Sequence, residues 1–366
     1  MRSAEVVIIG GGCVGTSTAY HLAARGCADV VLLEADTLGA GTTSKAAGGI
    51  RLQHADELNA RIVQRSLAEF LHFEELTGVP IGFKQVGYLF LLSSDEEMDS
   101  FKRAVTAQQA LGIPSEVVGL DTVRSLVPQV ETAGLAGATF CPIEGYATPE
   151  AVVQGYAASA RRGGAAVRVG CRVTGIRVHR DRVVGVDTEE GPIASRAVVC
   201  AAGVDSAGLA RSAGFELPVH GQARAVHYSG GDGGVPSTAP LTVDFASGFY
   251  FHREGTGLLF GGRERDLEDL SEPAVRRLPV LADLPIESSW WGYYDMSPDH
   301  NAMIGAAPVE GLYYATGFSG HGFQQSPAVG EHLAQLVLKQ EPTLDLTPLS
   351  ADRFLLGAPR PEKFVI

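Results

Sequence analysis

Gly10, Gly12 and Gly15, with Glu34 about twenty residues further on, have the types and spacing that hold a dinucleotide. Gly10 lets a strand turn sharply. Gly12 has no Cβ, so a pyrophosphate can approach the backbone. Gly15 lets the next helix pack close to the sheet, with its N-terminus facing the phosphates, and Cys13 sits inside the glycine turn as a small filler. Glu34 can accept hydrogen bonds from ribose hydroxyls. Further stretches offer bare backbone to a bound group. Residues 38–51 are mostly small and lack any helical or strand period. Ala201-Ala202-Gly203 closes an apolar run, and Gly317-Phe318-Ser319-Gly320-His321-Gly322-Phe323 precedes a helical pattern. Ordering such segments costs conformational entropy, which suggests packing against a ligand.

These positions need a scaffold. Val6-Val7-Ile8-Ile9 reads as a strand. Residues 16–25 form a helix with Ala19, Leu22 and Ala23 on one face, ended by Gly26, and Val30-Val31-Leu32-Leu33 is a second strand. Together they make one βαβ unit. Helices are expected over 56–76, 96–111, 121–126, 149–162 (capped by Thr148, with Pro149 at its first position) and 326–339. Strands are expected over 87–92, 166–169, 173–178, 183–187, 196–203 and 311–317. Residues 219–291 change character: their alternating runs (223–228, 241–245, 248–253, 258–262) predict an antiparallel sheet. The proline-rich tail after Glu341 is expected on the surface.

Bulk properties narrow the class. The 366 residues suggest two domains. A net charge of −13 argues against nucleic acid as partner. The absence of any apolar run of about 18 residues argues against a membrane span. The first strand starts almost at Met1, and the five cysteines, an odd and scattered set, read as reduced thiols. A cytoplasmic location is expected from both, and no metal site is expected.

Four separated segments resemble one family. They are the N-terminal fingerprint, residues 42–51, Cys200-Ala201-Ala202-Gly203, and the run from Ser297-Pro298-Asp299 through Ile304-Gly305 to the Gly317–Phe323 turn. Together they are similar to the glycine oxidase, sarcosine oxidase and D-amino acid oxidase family of FAD enzymes. The resemblance implies a two-domain α/β fold. A discontinuous glutathione-reductase-like (Rossmann) FAD-binding domain would comprise residues 1–80, 145–215 and 297–366. An inserted antiparallel-sheet substrate domain would comprise 81–144 and 216–296. It also implies cofactor contacts. Gly10, Gly12, Cys13, Val14, Gly15 and Glu34 would hold the ADP half, and Thr42, Thr43, Ser44, Ala47, Gly48 and Gly49 would run beside the flavin. Val173 would meet the adenine through its backbone, and Ala202 and Gly203 would lie near the pyrophosphate. Gly317, Gly320, His321, Gly322, Phe323 and Gln324 would sit at the pyrimidine end, where backbone N–H groups can stabilise negative charge.

The departures from the family pattern are informative. The cysteine that bonds to flavin in monomeric sarcosine oxidases falls at Gly292, so non-covalent FAD is expected. The lysine that approaches the flavin after the glycine turn falls at Gln324, and the oxygen-activating lysine falls at about Leu259, which counts against a fast oxidase. The carboxylate-holding arginine of glycine oxidases falls at Tyr294. Arg51 matches a carboxylate-binding arginine of sarcosine oxidases and can make a bidentate pair. Arg263 and Arg265 are its rivals. Tyr250, Tyr293 and Tyr294 could line a substrate pocket, and His54 could face it. The expected reaction oxidises the C–N bond of an amino acid or N-substituted glycine. A hydride passes to flavin, the imine hydrolyses, and O2 takes the electrons with release of H2O2. The alternatives are a dehydrogenase subunit serving another electron acceptor, or a flavoprotein with an assembly role.

Overall fold

Two sheets organise the chain, a computed structural model describing residues 3–263 and 266–365. The first has six strands, in the order Met303–Ala306, Leu312–Thr316, Ala197–Cys200, Val6–Ile9, Val30–Leu33 and Ala166–Arg168. Neighbours run parallel except the pair Met303–Ala306 and Leu312–Thr316. Val6–Ile9 and Val30–Leu33 are buried at every position, as strands covered on both faces must be. Helices Cys13–Ala24, Pro149–Arg162 and Gly322–Val337 contribute to the core on one face. A three-stranded sheet (Val173–His179, Arg182–Thr188, Ile193–Ala194) and helix Ser206–Ser212 contribute to the core on the other. Ile9 pairs with Cys200, and Cys200 with Tyr314. Three strand ends therefore lie side by side where the glycine turn leaves the sheet.

The second sheet has eight strands, in the order Ile286–Met296, His220–Ser229, Gly257–Gly261, Tyr250–Glu254, Leu241–Asp244, Tyr88–Leu92, Gly137–Cys141 and Glu116–Val118. Each strand comes from residues 81–144 or 216–296. The sheet is not wholly antiparallel. Leu241–Asp244 runs parallel to Tyr88–Leu92, because this junction joins two separate stretches of chain and no hairpin constrains it.

Several elements differ from the sequence expectation. Residues 56–76 form two helices, Glu57–Leu71 and Phe73–Thr77, which share His72 as C-cap and N-cap. Thr148 occupies the N-cap position of its helix, but its hydroxyl makes no cap bond. A helix at Leu267–Arg277 lies inside the strand-rich stretch, where its interior Pro273 disguised the pattern. The last long helix begins at Gly322, four residues earlier than expected. Pro327 cannot donate to the Phe323 carbonyl, and the Ser326 hydroxyl serves it instead at 2.8 Å.

The largest difference is the tail. Most residues beyond Glu341 do lie at the surface, as expected, but Leu346, Leu349, Arg353, Glu362 and Phe364 are buried and anchor the segment. Arg353 pairs with Asp299 at 2.8 Å, and both side chains are buried. Phe364 stacks on Phe101 with ring centroids 3.8 Å apart, and Glu362 is sealed in the interior. An aromatic anchor and a paired acid outweigh the polar, proline-rich average of the segment.

Candidate active site

A single cavity of about 1060 Å³ is lined by both sheets. It matches the upper end of the roughly 300–1,000 Å³ typical of ligand pockets. At one end the walls are backbone. The first strand ends at Gly10, where a Cβ would lie 2.3 Å from the Ala201 oxygen. Gly12 caps helix Cys13–Ala24 in extended conformation, and the backbone N–H of Cys13 donates to Thr43 Oγ1 at 3.2 Å. Glu34 closes the second strand. Its carboxylate accepts the Gly11 N–H at 2.7 Å and the Asp36 N–H at 2.9 Å, which fixes it at the cavity edge. Val173, Ala202 and Gly203 complete this end. Thr42, Thr43, Ala47, Gly48 and Gly49 form a long wall of small residues. Gly48 has φ +75°, and a Cβ there would lie 2.0 Å from the Ala147 oxygen.

Three expected cofactor contacts are not on the wall. Gly15 lies behind it, where a Cβ would sit 1.9 Å from the Gly10 oxygen, so this glycine serves helix–strand packing. Ser44 belongs to a short 3₁₀ turn and its N–H bonds to the Gly39 oxygen. Gly317 turns its N–H to Asp295 Oδ2 at 2.8 Å. Two N-terminal helix ends do reach the cavity, through Gly12, Cys13 and Val14 and through His321, Gly322 and Phe323. Each supplies N–H donors and positive potential for an anionic ligand. The glycine cradle, the acid and the helix ends fit the two phosphates and ribose of a dinucleotide.

At the other end the walls are side chains: Arg51, Tyr88, Tyr250, Tyr294, His321 and Gln324. The hydroxyls of Tyr88, Tyr250 and Tyr294 make no hydrogen bond to the described residues. Burial raises all three above the usual phenol range. Arg51 is 3% exposed, and both terminal nitrogens of its guanidinium are engaged. Nη1 donates to the Gln53 oxygen at 2.5 Å. Nη2 donates to the Phe364 oxygen at 2.6 Å and to His321 Nε2 at 2.9 Å. Gln324 is committed too. Its Oε1 accepts the Arg51 N–H at 2.8 Å, and its Nε2 meets His54 Nε2 at 3.1 Å. His54 does not face the cavity. It lies one layer behind, between Gln324 and Glu362, with Nδ1 3.4 Å from Glu362 Oε2. Arg263 is held by the carbonyls of Phe245, Ala246 and Val365, and Arg265 lies outside the described residues. Tyr293 lines the cavity at its exposed rim, and Gly292 lines it as well.

Sequence reasoning missed the groups that lock this end. Glu144 is fully buried and accepts from the Leu52 and Gln53 N–H groups and from Gln53 Nε2. Burial pushes its carboxyl up to about 8, against the pull of those donors and of Arg51. Glu362 is held well below the usual carboxylate range: its desolvation is the largest single influence, but the combined pull of His54, His321 and Arg51 outweighs it. Asp295 also lines the cavity, and burial pushes it up to about 6. An acid two residues before Ser297-Pro298-Asp299 was the available signal for Asp295. No pattern in a loop announces Glu144, Glu362 or Phe364.

A doubly sheeted α/β chain with this cradle is an FAD-dependent oxidoreductase. Residues 5–336 match the family model described as DAO, FAD dependent oxidoreductase, and the chain belongs to that family. It is 32% identical to human mitochondrial sarcosine dehydrogenase over 387 residues, covering 96% of this chain and 41% of that one. It is 30% identical to bovine FAD-dependent oxidoreductase domain-containing protein 1, covering 99% and 87%. The chain thus spans about two-fifths of the length of the sarcosine dehydrogenase. Among solved structures, L-proline dehydrogenase from P. horikoshii superposes with a TM-score of 0.91 at 31% identity, covering 98% of this chain and all of that one. Glycine oxidase from Geobacillus kaustophilus gives 0.86 at 26%, covering 96% and 99%. No helix among the described residues is long and apolar enough to cross a membrane.

Proposed function

We propose that this protein oxidises the C–N bond of a small amino acid bearing a substituted amine, of the sarcosine or proline type. It would pass the electrons to an acceptor other than O2. The observation that carries this reading is the continuity of the cavity. A backbone-built, anion-friendly end opens without interruption into a tyrosine-lined polar end. FAD, when bound, supplies the hydride acceptor. Gly10, Gly12, the helix starting at Cys13 and Glu34 would hold its ADP half, and Thr42, Thr43, Ala47, Gly48 and Gly49 would line the wall beside its ring. The N–H groups at Gly322 and Phe323 stabilise negative charge there. The domain division at residues 81–144 and 216–296 puts substrate contacts on the second sheet, through Tyr88, Tyr250 and Tyr294. The Asp295 carboxylate on the cavity wall already accepts the Gly317 N–H, and the accepting nitrogen of His321 faces Arg51, so neither serves as a free base and the substrate would react as a neutral amine.

The relatives named dehydrogenases, for sarcosine, dimethylglycine and proline, favour a non-oxygen acceptor. Leu259, at the position of the oxygen-activating lysine, is packed in the core beside Tyr250. The kinship to glycine oxidase and sarcosine oxidase subunit beta supports an oxidase as second reading. Anaerobic mixing with sarcosine, dimethylglycine, proline and glycine tests the substrate class. Bleaching of the flavin band by at least one of the first three supports it, and a flavin inert to all four refutes it. Readmitting air then separates the two acceptors: slow recovery of the band marks a dehydrogenase, rapid recovery with H2O2 an oxidase.

A further inference from the structure

The hydrogen bonds around Arg51 settle a proton. Arginine has only donors, so His321 Nε2, 2.9 Å from Arg51 Nη2, must accept. The His321 proton is therefore on Nδ1. The ring cannot be doubly protonated in this arrangement, because Arg51 offers no acceptor. Nδ1 makes no hydrogen bond to the described residues, and His321 lines the cavity. The same logic runs one layer back. Gln324 Oε1 takes the Arg51 N–H, so Gln324 Nε2 donates to His54 Nε2, while His54 Nδ1 lies 3.4 Å from Glu362 Oε2 and 3.5 Å from Arg51 Nη1. Arg51 is thereby fixed from three sides. Gln324 holds its backbone. The Phe364 carbonyl, from the tail, and the Gln53 carbonyl hold its guanidinium. Glu144 in turn holds residues 52 and 53. A guanidinium clamped in this way cannot swing into the cavity to make a bidentate pair without breaking buried bonds.

We propose that the substrate carboxylate is received by the Nδ1–H of His321, and that Arg51 acts behind it as the residue that fixes its tautomer. This rests on the proposed amino-acid substrate. Arg51 still contributes its positive charge, now through the polarised imidazole. Tyr294 is well placed to add a second donor. Its ring packs against Gly320, where a Cβ would lie 2.6 Å from it, and its hydroxyl is uncommitted. His321 is then a hydrogen-bond donor and not a base. Burial and the neighbouring Arg51 keep its conjugate acid from forming near neutral pH.

Titrating the holoenzyme with cyclopentanecarboxylate, read by the flavin absorbance, tests this. Sarcosinamide serves as the neutral counterpart of sarcosine. Losing a hydrogen bond to a charged group predicts ~10- to 100-fold weaker carboxylate binding in His321→Ala, with partial recovery in His321→Asn and little change for the amide. Arg51→Lys should weaken the carboxylate partly. Nitrogen NMR of ring-labelled histidine in the wild type should show a neutral His321 with its proton on Nδ1 from pH 6 to 9, and Arg51→Lys should shift that pattern. The idea is overturned if wild-type His321 carries its proton on Nε2, or if His321→Ala binds the acid as wild type does. It is also overturned if Arg51→Ala alone loses the preference for sarcosine over its amide while His321→Ala keeps it. A wild type that ignores every acid and every amino acid would overturn the proposed function itself, and this assignment with it.

Discussion

The two ends of the cavity are built in different ways. The dinucleotide end is made largely of backbone: Gly10, Gly12, Gly48 and the first turns of two helices, with the Glu34 carboxylate at its edge. The substrate end is made of side chains drawn from residues 51–54, 88, 144, 250, 294, 321–324 and 362–364, interlocked by hydrogen bonds. Backbone sites depend on conformations that only certain residues allow, so they write local motifs. A side-chain network depends on which loops meet in space, and leaves no local trace. The first kind should fail by losing the ligand, the second by losing rigidity.

The sharpest contrast comes from the tail. Phe364→Ala removes a ring stacked on Phe101 and 1% exposed. The expected cost is about 3–5 kcal/mol of stability, measured as a drop in the denaturant midpoint of the holoenzyme. FAD affinity should hardly change, since Phe364 is not among the residues that line the cavity. A variant that loses FAD but keeps its midpoint would break the comparison. Glu34→Ala should do the reverse. Its carboxylate organises Gly11 and Asp36 and faces the cavity. Removing charged hydrogen bonds predicts about 1.5–3 kcal/mol of lost FAD affinity, read by equilibrium dialysis. Unchanged affinity would remove Glu34 from the site.

The legibility of the chain follows the same division. The βαβ unit, the two-sheet plan and most strands were readable, because burial on both faces or on one leaves plain apolar runs or alternation. Most residues expected at the cradle line the cavity, while Gly15, Ser44 and Gly317 lie behind its wall. The helix at Leu267–Arg277 was hidden by Pro273, and the start at Gly322 by Pro327, whose missing donor is made good by a serine hydroxyl no periodicity reveals. Arg51 was found at the cavity wall, but its partners were not. Phe364 and Glu362 are over three hundred residues away in sequence, in a segment whose composition reads as surface. Charge in a sequence shows that an arginine needs partners. It does not show whether a substrate or the protein's own backbone provides them.

The smallest effect expected is also specific to the locked end. Glu144 titrates near 8 in the fold and near 4.5 when unfolded. Between those values the folded chain holds a proton that the unfolded chain has released. Stability therefore falls as pH rises from about 4.5 to about 8, and the Glu144 contribution is flat above that. One proton gives a slope of at most ~1.4 kcal/mol per pH unit. Other groups act at the acid side. Glu362, held low, and His321, kept neutral, both lose stability as pH falls, Glu362 below about 4.5 and His321 below about 6.5. Wild type alone would mix these slopes, so the informative quantity is the difference from Glu144→Gln, which has no proton to lose. The midpoint of wild type minus that of the variant should decline steadily from pH 5 to pH 8. The glutamine will carry its own constant penalty, since Gln53 Nε2 already donates toward that position while Gln53 Oε1 lies buried without a partner. A constant offset leaves the slope untouched. A difference that stays level across the range would mean that the three N–H donors keep Glu144 ionised, and that residues 52 and 53 are anchored by a charge.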